Sequence, residues 1–205
     1  MKKLHDFINE TKNRELYIIN HERRGHALYN HILSDYELVQ KVRKGRKPQY
    51  EDDIVLATRW ISEEQALHAI TEALLIRNKE IESWLKNWNG MEFAFQETLS
   101  EITGEGIAYN GDWRQPVPVH GIRIVLTVGG GYNPFTIKTA YPINSFDDND
   151  DILDAIYEYQ DRRSKKQRTY FIRSLFVYGI IYHSTIRTNI KDEKEERKFI
   201  FFVQI

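Results

Sequence analysis

Ser62-Glu63-Glu64-Gln65-Ala66-Leu67-His68-Ala69-Ile70 opens the segment whose reading decides the fold. A serine followed three residues later by Gln is a capping-box pattern, and Ala66, Leu67, Ile70, Leu74, Ile81, Trp84 and Leu85 recur at helical spacing until Gly90. From Met91 the period changes to two. Residues 91–99, 122–128 and 135–141 read as strands, separated by Gly104, Gly106, Gly111 and the run Gly129-Gly130-Gly131. Helices followed by an antiparallel meander predict an α+β domain, with N-terminal helices packed on an antiparallel sheet rather than a doubly wound one. The glycine triplet lies between two strand segments and has no Lys-Ser/Thr partner, so it reads as a hairpin turn and not a nucleotide loop.

Upstream of this segment, Leu4, Phe7 and Ile8 predict a short amphipathic helix over residues 2–14. A second helix is expected over residues 25–33, and a third starts at Asp35 as N-cap and runs through Leu38, Val39 and Val42. Residues 54–60 look extended. Downstream, the acidic run 146–151 is expected to cap a helix from Asp151 to about Arg163, because carboxylates are favoured at a helix N-terminus. Residues 169–182, 186–190 and 198–205 are rich in Ile, Val, Phe and Tyr and read as strands, with the charged residues 191–197 as a turn. The expected organisation is a helical leader at 1–20, a main domain at 21–143, and an extension at 144–205 made of one helix and a β-rich tail.

With 205 residues, 41% of them hydrophobic, the chain can bury one good core. Its 29 Lys and Arg against 30 Asp and Glu exclude the strong overall positive field of a protein that coats DNA, so any nucleic-acid contact has to be local. Residues 1–50 supply such a locality, with roughly 11 basic against 6 acidic side chains, centred on residues 41–47. Arg43, Lys44, Arg46 and Lys47 are the candidate phosphate-facing residues there; the competing reading is a solvated helix end whose cations complement the macrodipole. The absence of cysteine fits a reducing, cytoplasmic compartment and leaves no thiolate metal site. No segment approaches about 18 uncharged apolar residues, so no membrane partner is expected. The seven histidines include no His-Glu-x-x-His spacing, which argues against a zinc hydrolase.

The chemistry-bearing residues fall in blocks far apart in the chain: Gly25-His26-Ala27-Leu28-Tyr29-Asn30-His31-Ile32 with Asp35-Tyr36-Glu37-Leu38-Val39-Gln40-Lys41-Val42, then Thr58-Arg59-Trp60-Ile61-Ser62, then Val119-His120-Gly121-Ile122-Arg123-Ile124-Val125-Leu126 and Phe135-Thr136-Ile137-Lys138-Thr139-Ala140-Tyr141-Pro142. In this order they resemble the ribonuclease A-like toxin domain of bacterial contact-dependent growth-inhibition and other polymorphic toxins, over residues 25–142. The resemblance implies a kidney-shaped α+β fold and an endoribonuclease that leaves a 2′,3′-cyclic phosphate without metal or other cofactor. It also implies RNA, single-stranded or tRNA-like, as substrate and a cognate immunity protein as partner. Carried over, the site is His31, Lys41, Thr139 and Tyr141, with Lys41 standing where the family has Arg. His26, Arg59 and His120 are supporting candidates.

Each part has a chemical reason. Cleavage by 2′-hydroxyl attack needs a base, a cation for the phosphorane and a donor near the leaving oxygen. Histidine titrates near neutrality and suits the base; lysine offsets charge as a point cation without the bidentate fork of arginine. On a continuous helix His26 and His31 would lie about 140° apart around the axis, so one of them is expected to be structural. Thr139 and Tyr141, two apart on a strand, are expected to share a face. The alternative is a catalytically degenerate RNA-binding or protein-interaction module of the same fold. The extension at 144–205 is expected to pack on the main domain or to mediate a homodimer.

Overall fold

The structure, a computed structural model, describes residues 27–28, 30–50, 53–130 and 133–189, together with Leu4 and Ile8. The elements in chain order are α1 (Asp35–Lys44), β1 (Leu56–Arg59), α2 (Glu63–Ile76), α3 (Asn78–Lys86), β2 (Phe93–Thr98), β3 (Gly104–Ala108), β4 (Val117–Val119), β5 (Gly121–Val128), β6 (Phe135–Ile143) and α4 (Asp148–Asn189). The strands form two antiparallel sheets, β1-β3-β4 and β2-β5-β6, so the expected α+β class holds. Packing divides the chain into two units, Met1–Gln160 and Asp161–Ile205.

In the first unit α2 carries the main core. Its start is fixed by Ser62, whose hydroxyl accepts from the Gln65 amide at 3.1 Å. Ala66, Ala69, Ile70, Ala73 and Leu74 are buried against Ile122, Ile124 and Leu126 of β5 and Phe135, Ile137 and Ala140 of β6. Leu4 and Ile8, four apart and helical, join that core; the rest of the expected leader at 1–20 lies outside the described residues. The predicted single helix to Gly90 is instead broken at Arg77. The Asn78 side-chain amide donates to the Leu75 carbonyl, a local bond that competes with helix continuation.

A second cluster, Leu38, Val42, Ala57 and Ile107, packs α1 onto the β1-β3-β4 sheet. Ser34 rather than Asp35 is the N-cap of α1, in a reciprocal capping box with Glu37. Strands β3 and β4 were not expected, since Gly104 and Gly106 read as loop. Gly104 is needed because a Cβ there would strike the Arg59 carbonyl and the Pro142 ring, where β3 runs past both β1 and β6. The Thr58 hydroxyl donates to the Pro142 carbonyl and ties the sheets together at that point.

Two expectations need larger corrections. Residues 27–28 and 30–32 are bend and turn, not helix: the His31 and Ile32 amides both donate to the Leu28 carbonyl, while the Ala27, His31 and Leu33 carbonyls are taken by Trp60 and Arg59. Tertiary hydrogen bonds there replace a helical ladder. Residues 169–182, expected as strand, belong to α4, which also includes 186–189 and runs well beyond the expected end near Arg163. No proline follows Pro142, and no turn signal interrupts the segment before Gly179, so a helix started by Asp148, Asp150 and Asp151 can continue. Beta propensity of Ile, Val and aromatic residues is a weak prior without strands to pair with. The expected turn and strand at 191–205 lie outside the described residues.

The hairpin β5–β6 has the feature that matters most for function. Its register runs Leu126↔Ile137 and then Val125↔Thr139, so Lys138 is an inserted bulge residue. Ahead of it Phe135 and Ile137 face the core; after it Ala140 and Pro142 are buried instead. The bulge therefore turns Thr139 and Tyr141 out of the core and onto the opposite face, beside Val125 and Arg123.

Candidate functional site

The open face of the β2-β5-β6 sheet is the side away from α2. Across it Gln96, Arg123 and Tyr141 stand in one register row, and Ala94, Val125 and Thr139 in the next. Thr139 and Tyr141 share this face, as their spacing predicts.

His31 is brought onto Tyr141 by the turn at residues 30–32. The two rings stack with centroids 5.1 Å apart and planes inclined by 23°. Residues at the end of β1 hold the turn in place. The Trp60 amide donates to the His31 carbonyl at 2.8 Å, and the buried Trp60 indole donates to the Ala27 carbonyl at 2.8 Å. Arg59 donates to the Leu33 carbonyl at 2.8 Å and forms ion pairs with Asp35 and Glu105. Burial opposes the Arg59 charge, but the two carboxylates outweigh it and hold its pKa above the ordinary value. Arg59 thus anchors the turn that carries His31. His26 lies outside the described residues.

Lys41 sits on α1, exposed as a residue, and its ammonium has no hydrogen bond or ion pair among the described residues. Desolvation of its ammonium nonetheless holds its pKa below the ordinary lysine value. The described contacts do not join Lys41 to the His31–Tyr141 stack. Lys44, Arg46 and Lys47 are exposed around the end of α1, and Arg43 lies 4.9 Å over the Trp113 ring. Lys41, Arg43 and Lys44 occupy the last turn, where cations complement the helix dipole.

His120 has a structural partner. Its ring Nδ1 is 2.6 Å from one Asp148 carboxylate oxygen, and its amide donates to the other at 2.9 Å. The Ser145 amide donates to that second oxygen as well, at 2.6 Å. Burial pushes the Asp148 carboxyl up, and these hydrogen bonds outweigh it and hold the group below the usual carboxylate value. Asp148 is 5% exposed, so the pair fixes the start of α4 to the β4–β5 corner.

Sequence reasoning missed Arg123, Asp148 and Glu105. Arg123 alternates with the buried Ile122 and Ile124, which marks it as facing away from the core; its row with Tyr141 depends on pairing register, which no local pattern reveals. At the β2 edge, Arg77, Gln96, Glu97, Thr98, Asn144 and Phe146 help to line a cavity of about 280 Å³, and Phe146 is 88% exposed.

Residues 25–142, more than half of the chain, match the family described as the bacterial CdiA-CT RNAse A domain. Among solved structures the chain is similar to the crystal structure of a CdiA-CT/CdiI complex from Y. kristensenii 33638. The identity is 18% and the TM-score 0.47, over 58% of this chain and 99% of that one. No curated protein matches.

Proposed function

The chain belongs to the bacterial CdiA-CT RNAse A domain family, and from that premise we propose that it is a metal-independent endoribonuclease toxin with its site on the open face of the β2-β5-β6 sheet. The observation that carries the reading is the stacking of His31 on Tyr141, which joins a titratable base to a hydroxyl-bearing side chain on the strand face that also holds Thr139.

In this reading His31 takes the 2′-hydroxyl proton as that oxygen attacks phosphorus, and the bond from phosphorus to the 5′-oxygen breaks. Tyr141 gives its phenolic proton to the leaving oxygen. Thr139 hydrogen-bonds a nonbridging oxygen, and Lys41 offsets the charge that develops there. The products are a 2′,3′-cyclic phosphate and a 5′-hydroxyl end. Arg43, Lys44, Arg46 and Lys47 position the RNA backbone, and Phe146 stacks on an unpaired base, as exposed aromatics do with single strands. A toxin domain of this kind acts in the cytoplasm of the cell it enters, and its partner is a cognate immunity protein.

The test is incubation of the purified chain with single-stranded RNA in EDTA and analysis of the product ends. Cleavage leaving 2′,3′-cyclic phosphate supports the reading. RNA that is bound and left intact would favour the degenerate binding module instead.

A further inference from the structure

We propose that Arg123 binds the scissile phosphodiester of the RNA, making the middle of the open sheet face, not only the end of α1, the anion site of the protein. The inference rests on the ribonuclease reading and adds to it a residue and a position for the phosphate.

Register places Arg123 directly between Gln96 of β2 and Tyr141 of β6, with Thr139 on the diagonal. Directly opposed side chains on adjacent strands start about 5 Å apart, and a diagonal pair remains within reach of a long side chain. An arginine at this position can therefore meet any group bound against the Tyr141 hydroxyl and the Thr139 side chain. The strand beneath it is pinned on both sides, and Ile122 and Ile124 on either side of Arg123 are fully buried, so its backbone is held rigidly.

The charge balance is the second argument. The other half-buried arginines described in this unit each hold two carboxylates: Arg59 has Asp35 and Glu105, and Arg77 has Glu80 and Glu97. Arg123 is also half-buried, and its guanidinium has no ion pair or hydrogen bond among the described residues. Partial burial of an unpaired guanidinium is costly, and a bound anion offsets that cost. The neighbours on its row and the next, Gln96, Tyr141, Thr139, Ala94 and Val125, are uncharged, so no carboxylate in those two rows repels a phosphate. A guanidinium matches a phosphodiester with two parallel hydrogen bonds, which the point charge of Lys41 does not provide.

Full-length Arg123→Gln and Arg123→Lys proteins test this against the wild type in two assays. The first is cleavage of single-stranded RNA; the second is binding of an all-2′-deoxy oligonucleotide, which lacks the nucleophile and stays uncut. Arg123→Gln is expected to lose on the order of a hundredfold in kcat/KM. Its slope of log affinity against log salt should fall by about 0.7, the value of one single-strand phosphate contact. Arg123→Lys should keep the slope and recover only part of the turnover. If Arg123→Gln does not fold, the wild-type Arg123 Nε–Hε resonance, assigned by its absence from Arg123→Lys, is followed during titration with inorganic phosphate. A saturable shift supports the site and an unmoved resonance overturns it. Wild-type cleavage with unchanged turnover and salt slope in Arg123→Gln would overturn the inference and leave the ribonuclease reading intact. Wild-type protein that leaves RNA uncut while Arg123 still responds to phosphate would overturn the ribonuclease reading and support the anion site.

Discussion

His31 and Tyr141 come from opposite ends of the matched domain, yet their rings stack at 5.1 Å between centroids. The contact needs two separate devices: hydrogen bonds from Trp60 and Arg59 that hold the turn carrying His31, and a bulge at Lys138 that turns Tyr141 out of the core.

His31→Ala is expected to lower RNA cleavage by at least a hundredfold or so, the usual scale for loss of a general base, while the thermal melting transition is retained. Tyr141→Phe keeps a ring under the imidazole and removes only the hydroxyl. If the phenol donates to the leaving oxygen, that variant also loses about a hundredfold in kcat, with KM nearly unchanged. Retention of most turnover in Tyr141→Phe, with loss in Tyr141→Ala, would assign Tyr141 to orienting His31 instead.

Lys41 gives a prediction about pH. Desolvation disfavours its charged form, so its pKa lies below the ordinary lysine value and the cation is lost at a lower pH than from a solvated lysine. If Lys41 stabilises the phosphorane, its contribution to kcat is full below that depressed value and is lost as pH rises through it, while the acid side of the profile is set by the base His31. Lys41→Arg should remove this alkaline limb, and Lys41→Ala should lose on the order of a hundredfold at neutral pH. A pH–kcat profile in the Lys41→Arg protein identical to that of the wild type would assign the limb to another group.

How much of this could be read from the sequence depended on whether the deciding interactions were local. The Ser62 cap, the α2 stripe and the common face of Thr139 and Tyr141 are local and were legible. The sheet face that carries Thr139 and Tyr141 was not, because nothing in Ile137-Lys138-Thr139 marks Lys138 as a bulge; only its pairing with β5 does. The turn carrying His31 was misread as helix for a related reason, since its carbonyls are satisfied by residues some thirty positions on. Strand β3 was hidden by its glycines, of which Gly104 is required by the close passage of Arg59 and Pro142. In α4 the misreading ran the other way: Thr169 to Tyr182 have strand-like composition, and the helix is continued from its acidic start.

The Asp148–His120 pair makes a stability prediction. The Asp148 pKa is lowered in the folded protein, so the group contributes stability that is fully present above the ordinary carboxylate value and is lost as pH falls through the depressed one. Asp148→Ala leaves the His120 and Ser145 amides without their acceptor and is expected to cost about 1–3 kcal/mol at neutral pH. Denaturant unfolding across pH checks the sign: the gap between wild type and variant should narrow as pH falls through the depressed Asp148 value. A gap that stays constant down to pH 2 would mean that the carboxylate charge has no part in it.

Truncation tests where the domain ends. The sequence boundary near residue 143 leaves all of α4 in an extension, but its first turns are part of the core of the first unit: Ile152 and Ile156 are 1% and 3% exposed and pack with Ala108, Ile54, Leu56 and Val117. Removing two buried isoleucines gives up about 1.5–3 kcal/mol each, a large share of the stability of a domain of this size. Loss of the Asp148 bonds to His120 and Ser145 adds to that. A chain ending at Asn144 is therefore expected to be insoluble or molten, and one ending at Gln160, where the first unit ends, to fold and to cleave RNA as the full chain does. Near-UV circular dichroism and RNA cleavage distinguish the two. If the Asn144 truncation folds with full activity, α4 has no structural role in the domain; if the Gln160 truncation folds but is more active than the full chain, residues 161–205 act as an inhibitor.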